Sequence, residues 1–200
     1  MISTYKIKPK FQQLIKPLLD KLYKAGVTAN QLTVSAIVLS LGIGVSLWFA
    51  ENWHFGYLVV PIGLLLRMVL NALDGMMARN YNMQSRKGEV LNELGDVVSD
   101  MFIYIPLMKL SGVYPELIAL FIGLAVVNEF SGVMGKVIGS ERRYDGPMGK
   151  SDRAFVVGAL CLTYYFVPIE PWIVNGLIAL CSLLIIISSF VRIHKSLNNG

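Results

Sequence analysis

Apolar residues fill most of the chain after residue 30, in six long segments separated by short polar turns. The segments cover about 30–50, 55–80, 88–110, 115–138, 153–168 and 171–192. A helix needs about 20 apolar residues to cross a bilayer, and every segment except the fifth reaches that length. The pattern predicts an all-α, polytopic membrane protein with six transmembrane helices, in a single domain over residues 1–200.

The segment before these spans, residues 8–25, has a different pattern. Its apolar residues recur at the spacing of one helix face, and its lysines lie on the other faces. These apolar residues are Phe11, Leu14, Ile15, Leu18, Leu19, Leu22 and Tyr23. The pattern predicts an amphipathic helix that lies in the membrane interface.

Composition and charge support this interpretation. The chain has 200 residues, of which 54% are hydrophobic and 16% charged, and its mean hydropathy is +0.57. Lysine and arginine concentrate in the N-terminal arm, residues 79–87, residues 136–153 and the C-terminal tail, whereas the turns at 51–54, 111–114 and 169–170 have none. The positive-inside rule therefore predicts that both termini are cytosolic. The net charge of +5 is explained by this bias, so no nucleic-acid partner is expected.

Two stripes of polar residues interrupt the second and third spans. Asn71 and Asp74 are three residues apart and share a helix face. The second stripe, also on one face, comprises Glu89, Asn92, Glu93, Asp96 and Asp100. Ionisable groups within membrane helices are costly and usually functional.

The depths of these residues match. From the cytosolic ends of their spans, a rise of about 1.5 Å per residue places Asp74 ~9 Å deep, Asn71 ~13 Å, Asn92 ~6 Å and Asp96 ~12 Å. Glu129 in the fourth span lies ~15 Å deep. We expect the stripes to face one another in a water-filled cavity open to the cytosol.

The nearby charges are unbalanced on this interpretation. Arg67 and Arg79 are the expected cations beside Asp74, Glu93, Asp96 and Asp100, which indicates a bound cation. Oxygen ligands suit a hard ion such as Mg²⁺. The alternatives are polar residues that only hold helices together, or a cation transporter using the same acidic cluster.

The stripes and the turn between them carry a recognisable motif. The sequence Asn71-x-x-Asp74-Gly75-x-x-Ala78-Arg79-x8-Gly88-x-x-x-Asn92-x-x-x-Asp96 resembles the signature of the CDP-alcohol phosphotransferases, D-x-x-D-G-x-x-A-R-x8-G-x-x-x-D-x-x-x-D. Its spacing is complete, and asparagine replaces the first and third aspartates. The chain is most similar to an uncharacterised bacterial branch of that family.

The resemblance implies a phospholipid-forming transferase. Members move a phosphatidyl group from a CDP-linked lipid, usually CDP-diacylglycerol, to an alcohol and release CMP, using one or two Mg²⁺ or Mn²⁺ ions. The implied metal ligands are Asn71, Asp74, Asn92 and Asp96. The implied donor-binding residues are Asp74, Gly75, Ala78, Arg79 and Gly88. Asp96 is the expected catalytic base, with Asp100 as second candidate. A cytoplasmic membrane location, if the chain is bacterial, and a homodimer are also implied.

The two asparagines remove two negative charges from the family pattern. We hypothesise that Glu93, Asp100 or Glu129 restores part of that charge, or that only one metal ion binds tightly. A non-catalytic relative that binds lipid or nucleotide is the alternative.

Two further segments resemble family features. Residues 27–33 resemble the family's Pro-Asn-x-x-Thr start of the first span, although Thr28 also suits a plain helix N-cap. Residues 142–153 resemble an acceptor-binding loop, in which Arg143, Lys150 and Arg153 would bind an acceptor phosphate. Positive-inside charge alone also explains these cations, so both a polyol phosphate and an uncharged alcohol remain open as acceptors.

Overall fold

Seven α-helices make up most of the described part of the chain. The computed structural model describes residues 4–198, with side chains from residue 11 onward. The helices are α1 (Thr4–Lys24), α2 (Ala29–Trp48), α3 (Gly56–Asn80), α4 (Arg86–Tyr104), α5 (Pro115–Val137), α6 (Lys150–Phe166) and α7 (Pro171–Asn198), and a 3₁₀ segment, Ile105–Lys109, follows α4. The all-α prediction is confirmed.

Four helices are long and apolar enough to cross a membrane: α2, α3, α5 and α7. The other two predicted spans fall short for different physical reasons. Helix α4 carries the acidic stripe, and α6 has only 17 residues. The protein is therefore an integral membrane protein, and the number of six crossings stays a prediction.

Two helix boundaries follow from local chemistry. Thr28 begins α2 through a capping box, in which its hydroxyl accepts from the Gln31 amide and the Gln31 side chain accepts from the Thr28 amide. This confirms the N-cap interpretation of Thr28. The predicted span 88–110 is instead divided, because Pro106 cannot continue the α-helical ladder and the chain tightens into the 3₁₀ segment.

The main core lies among α2 to α7. It includes Ile43, Tyr104, Phe121 and Ile178, each almost fully buried. Helix α2 packs on α3 and α4, α3 packs on α6, and α5 packs on α7. We call the end of this bundle where α3 finishes and α4 begins, residues 80–86, the charged end.

Helix α1 packs across the charged end of α3. Its Ile15 and Leu19 join a small cluster with Leu73, Met76 and Met77. Tyr81 fixes the arrangement, because its ring stacks on Tyr23 at 3.7 Å between centroids and its hydroxyl donates to Asp20 at 2.6 Å. On the other side of α1, Leu14 is 77% exposed and Leu18 45%. The interfacial position of α1 stays a prediction that this uncovered apolar side supports.

Helices α2 and α4 cross at backbone distance. A Cβ atom on Gly44 would lie 2.1 Å from the carbonyl oxygen of Phe102, and one on Gly95 would lie 2.8 Å from the Ile37 side chain. Small residues at such crossings let membrane helices approach closely. The crossing fixes the height of α4 against α2.

This crossing gives a direct test of the packing. Gly44→Ala should destabilise the protein by about 1–3 kcal/mol, because the added methyl meets backbone rather than a movable side chain. The matched control is Gly42→Ala on the same helix, where a Cβ meets nothing within 4 Å. Thermal unfolding in detergent measures both, and equal melting temperatures for the two variants would contradict the close crossing.

Candidate functional site

Asp74 on α3 is a buried carboxylate, 6% exposed. The Thr33 hydroxyl on α2 donates to its Oδ2 atom at 2.9 Å. Within residues 11–198 no ion pair with Asp74 is formed. Asn71 lies one turn earlier and is half-buried. A buried carboxylate without a cation is costly, so this position suits an added cation.

Asp96 on α4 meets the amino group of Lys150, whose Nζ lies 2.6 Å from Oδ2. Arg67 on α3 lies on the other side, with Nη2 3.7 Å from Oδ1 and 3.3 Å from the Asp96 carbonyl oxygen. Through Arg67, α3 therefore contacts the polar stripe of α4 at Asp96.

The donor set fits one divalent cation better than two. In the described part of the chain, no three His, Cys, Asp or Glu side chains converge as a metal site. Asn71 and Asn92 stand at the two motif positions where the family signature has aspartate, so they bring no carboxylate to Asp74 and Asp96. Two carboxylates and two amide oxygens are still hard ligands of the kind that Mg²⁺ and Mn²⁺ accept.

Gly75 makes room for a neighbouring arginine. A Cβ atom on Gly75 would lie 3.3 Å from both terminal nitrogens of Arg79, so the guanidinium covers the Gly75 backbone. Arg79 itself is exposed. Its planar fork is open to an anion at the charged end.

Gly88 has a structural reason of its own. A Cβ atom there would lie 2.8 Å from the Asn30 side-chain oxygen and 3.0 Å from the Ser85 hydroxyl, which caps α4. The absence of a side chain at Gly88 therefore lets Asn30 of α2 and the N-cap residue Ser85 lie close to α4. Ala78 packs against the α1–α3 cluster, so its small side chain also has a packing role.

Thr33 is a site residue to which sequence reasoning gave no role. The available signal was its place in the family-like segment 27–33. Thr33 reaches Asp74, and Asn30 from the same segment reaches Gly88. Asn30 and Thr33 of this segment therefore contact residues of the motif.

Arginine side chains bind the remaining carboxylates, and three of these arginines come from later in the chain than the motif. Arg67 and Arg153 each contact one oxygen of Asp100, at 2.8 and 3.0 Å. Arg142 contacts Glu93 at 2.7 Å and Glu129 at 3.0 Å. Glu129 also meets Arg153 at 3.0 Å and Arg192 at 3.6 Å. We call Arg67, Arg142, Arg153 and Arg192, with Glu93, Asp100 and Glu129, the arginine network.

The network corrects the expected charge balance. The sequence pattern predicted Arg67 and Arg79 as the cations beside the acidic stripes, placed Arg142 and Arg153 in an acceptor-binding loop, and gave Arg192 no role. Arg153 and Arg192 lie in apolar segments, where a charge usually pairs with another. That signal was available without a structure.

The network also revises individual roles. Both oxygens of the buried Asp100 carboxylate are bound by guanidinium groups, which stabilise its charge and do not favour it as a base. Arg153 is fully buried and bonds to Asn128 and the Met148 carbonyl as well, so it presents no open face to an acceptor. Glu93 and Glu129 are likewise held by arginine, which does not favour their predicted role of restoring charge at a metal.

The loop between α5 and α6 is seated against α5 and α7. Cβ atoms on Gly132 and Gly135 would lie 2.5 and 2.4 Å from the carbonyl oxygens of Arg143 and Glu141. Arg143 donates to the Ser140 hydroxyl at 3.2 Å and the Lys195 carbonyl at 3.1 Å. These contacts fix the path of the loop as it leads to Lys150.

The end of α7 holds the same loop by charge. Arg192 donates to the Asp145 carbonyl at 3.2 Å, and the Lys195 amino group lies 2.5 Å from the Asp145 carboxylate. The hydrogen bond from Lys195 lowers the pKa of Asp145. Because that pKa is lowered, the contact stabilises the fold at neutral pH and is lost as the pH falls through the pKa of Asp145.

Comparisons with known proteins agree with this geometry. The family described as CDP-alcohol phosphatidyltransferase matches residues 26–186. The "Inner membrane protein YnbA" of Escherichia coli (strain K12) is 45% identical over 157 residues, which is 78% of either chain. An "Uncharacterized protein" of Aquifex aeolicus (strain VF5) is 28% identical over 99 residues, 50% of this chain and 48% of its own.

Solved structures share the fold. Mycobacterium tuberculosis phosphatidylinositol phosphate synthase (PgsA1) with CDP-DAG bound has a TM-score of 0.73 at 20% identity, over 92% of this chain and 94% of its own. The same protein in complex with manganese and citrate has a TM-score of 0.71 at 21% identity, over 90% and 87%. At these identities the likeness establishes architecture alone.

Proposed function

Because the chain belongs to the CDP-alcohol phosphatidyltransferase family, we propose that it transfers a phosphatidyl group from CDP-diacylglycerol to an alcohol and releases CMP. Family membership makes it a transferase of substituted phosphate groups. The observation that carries the proposal is that Asp74 on α3 is buried without an ion pair among residues 11–198, while α3 also contacts Asp96 on α4 through Arg67. Binding of CDP-DAG and of manganese to the similarly folded PgsA1 supports the choice of donor and of a divalent ion.

The residues at the charged end divide the work. Arg79 binds donor phosphate through its two parallel N–H groups. Asp74 and Asp96, helped by the amide oxygens of Asn71 and Asn92, would hold the divalent ion, which neutralises the diphosphate and the leaving CMP when bound. Asp96 accepts the proton of the acceptor hydroxyl. The oxygen of that hydroxyl attacks phosphorus, and the bond between phosphorus and CMP breaks.

The proposed topology has six crossings, cytosolic termini and α1 in the interface. Helices α4 and α6 can cross despite their polar residues or short length, because the acidic face of α4 is bound by cations from α3 and α6. The lysine and arginine distribution places the charged end on the cytosolic side.

An assay with purified protein tests the activity. CDP-diacylglycerol, Mg²⁺ and an added alcohol should give CMP, and EDTA should stop its release. A non-catalytic relative would bind the lipid without releasing CMP. A cation transporter would need a polar path to the opposite end, where the bundle core is apolar. CMP release that ignores both metal and alcohol would contradict the proposal.

We expect one tight divalent site. Asp74 has no ion pair among residues 11–198, Asp96 already meets Lys150 and Arg67, and Glu93, Asp100 and Glu129 are bound by arginine, so the negative charge left for metal suits one ion. Titration with Mn²⁺, followed by electron paramagnetic resonance, should show one tight ion per chain, and Asn71→Asp with Asn92→Asp should add a second. Two tight ions in the natural chain would contradict this, most clearly if they survive Glu93→Gln, Asp100→Asn and Glu129→Gln.

Thr33 should tune the metal site through Asp74. Thr33→Val removes the hydroxyl that orients the carboxylate while keeping the side-chain shape, so Mn²⁺ affinity should fall by about tenfold. Thr33→Ser keeps the hydroxyl and serves as the matched control. Equal Mn²⁺ affinities for the valine and serine variants would show that the hydrogen bond has no part in binding.

A further inference from the structure

The class of acceptor alcohol can be argued from the cations around Asp96. A phosphorylated acceptor would bring a second anionic group into a site that already receives the donor diphosphate. Sites that bind phosphate do so with arginine forks or ammonium groups that are free to contact it. The cations available here lie in residues 142–153 and near the end of α7.

The arginines among these cations are already committed. Arg142 has 9% of its side chain exposed and bridges Glu93 and Glu129. Arg153 is fully buried between Asp100 and Glu129. Arg192, 2% exposed, donates to the Asn128 carbonyl at 2.7 Å. Turning any of these toward a ligand would leave a buried carboxylate unpaired, which is strongly unfavourable.

The two other cations do not replace them. Arg143 binds the Lys195 carbonyl and packs against Gly135 on the α5–α7 side. Lys150, with 29% of its side chain exposed, does face Asp96. One ammonium group is a point charge, and it lacks the paired donors that grip phosphate.

The charges of the site also disfavour a second phosphate. The carboxylates are Asp74, Glu93, Asp96, Asp100 and Glu129, and the cations are Arg67, Arg79, Arg142, Lys150, Arg153 and Arg192. One divalent ion and the donor diphosphate balance each other, which leaves a single positive charge. A phosphate dianion on the acceptor would turn this into a net negative charge.

We infer that the acceptor is an alcohol that carries no phosphate group. The inference rests on the proposed function, because it names the second substrate of that reaction. It replaces the expectation that Arg143, Lys150 and Arg153 together bind a polyol phosphate. In this arrangement Lys150 positions Asp96, and the acceptor hydroxyl binds beside that carboxylate.

Matched pairs of acceptors test the inference. CMP release from CDP-diacylglycerol is measured with glycerol against glycerol 3-phosphate, and with inositol against inositol 1-phosphate. In each pair that supports CMP release, we expect kcat/KM to favour the unphosphorylated member by about tenfold or more. Equal values, or a preference for the phosphorylated member in either pair, would overturn the inference.

A variant tests the reason for the preference. Glu93→Gln removes one of the two carboxylates that bind Arg142 and leaves Glu129, so Arg142 can also bind an anion and use of glycerol 3-phosphate relative to glycerol should rise. The control is Glu89→Gln, whose carboxylate pairs with Lys136 at the exposed surface of the same helix. An unchanged acceptor ratio in Glu93→Gln would overturn the role assigned to the paired arginines.

The failure of the inference differs from the failure of the proposed function. If no alcohol in the panel supports CMP release, the transferase activity itself is overturned. If CMP is released only with phosphorylated alcohols, the activity stands and the acceptor class is wrong.

Discussion

Replacing Asp96 with asparagine should reduce CMP release by about a thousandfold. The change removes the proposed base and one of the two carboxylates left at the metal site, and each role is worth orders of magnitude in rate. Asparagine keeps the size of the side chain, and Lys150 retains an oxygen to contact. Initial rates with saturating CDP-diacylglycerol and alcohol measure the effect.

The control for this variant is Glu89→Gln, a carboxylate on the same helix that faces the solvent with Lys136. It should change the rate by no more than a few fold. Lipid mass spectrometry after overexpression gives a second readout, because the phospholipid product should appear with the natural chain and not with the Asp96 variant. An Asp96→Asn protein that keeps a tenth of the rate would mean that the base and the ligands lie elsewhere.

Replacing Arg153 with methionine should destabilise the protein by about 3 kcal/mol or more. Arg153 is fully buried, and it joins Asp100 on α4, Glu129 on α5 and the Met148 carbonyl of the preceding loop. Methionine fills much of the same volume without the charge. Asp100 would then keep Arg67 and one oxygen without a cation, and Glu129 would keep Arg142 and its longer contact with Arg192.

Two further proteins make the Arg153 result interpretable. Arg143→Met changes a half-buried arginine of the same loop that contacts a hydroxyl and a carbonyl, so its effect on the melting temperature should be much smaller. Adding Asp100→Asn to Arg153→Met should recover part of the lost stability, because it removes the carboxylate that is left with an unpaired oxygen. Equal melting temperatures for Arg153→Met and the natural chain would show that the network does not hold the helices together.

Much of the fold could be predicted because membrane helices leave a strong signal in sequence. The apolar segments located the helices α2, α3 and α5 within a few residues, and the alternation of polar turns gave their order. The break at Pro106 required attention to a single residue within an otherwise continuous apolar segment. The end of α7 was placed at 192 instead of Asn198, since its last turns are polar and are stabilised by contacts with the α5–α6 loop.

Part of the candidate site could also be predicted from the sequence, and part could not. Asp74 and Asp96 were found because both follow helical spacing within one short motif. The contacts of Thr33 and of the arginine network were not predicted, because the partners are distant in sequence. Thr33 lies 41 residues from Asp74, and Arg153 lies 53 residues from Asp100. Periodicity shows which face of a helix is polar, and it does not show which other helix supplies the partner.

The dependence of the α5–α6 loop on the end of α7 has a consequence for biosynthesis. Arg192 and Lys195 secure Asp145, yet they are translated almost 50 residues after it. Helices α3 and α4 therefore reach the bilayer well before Arg192 and Lys195 can contact the loop. In newly inserted protein, the loop that leads to Lys150 would lack these contacts until α7 has entered the bilayer. The site is therefore expected to mature late, after membrane insertion.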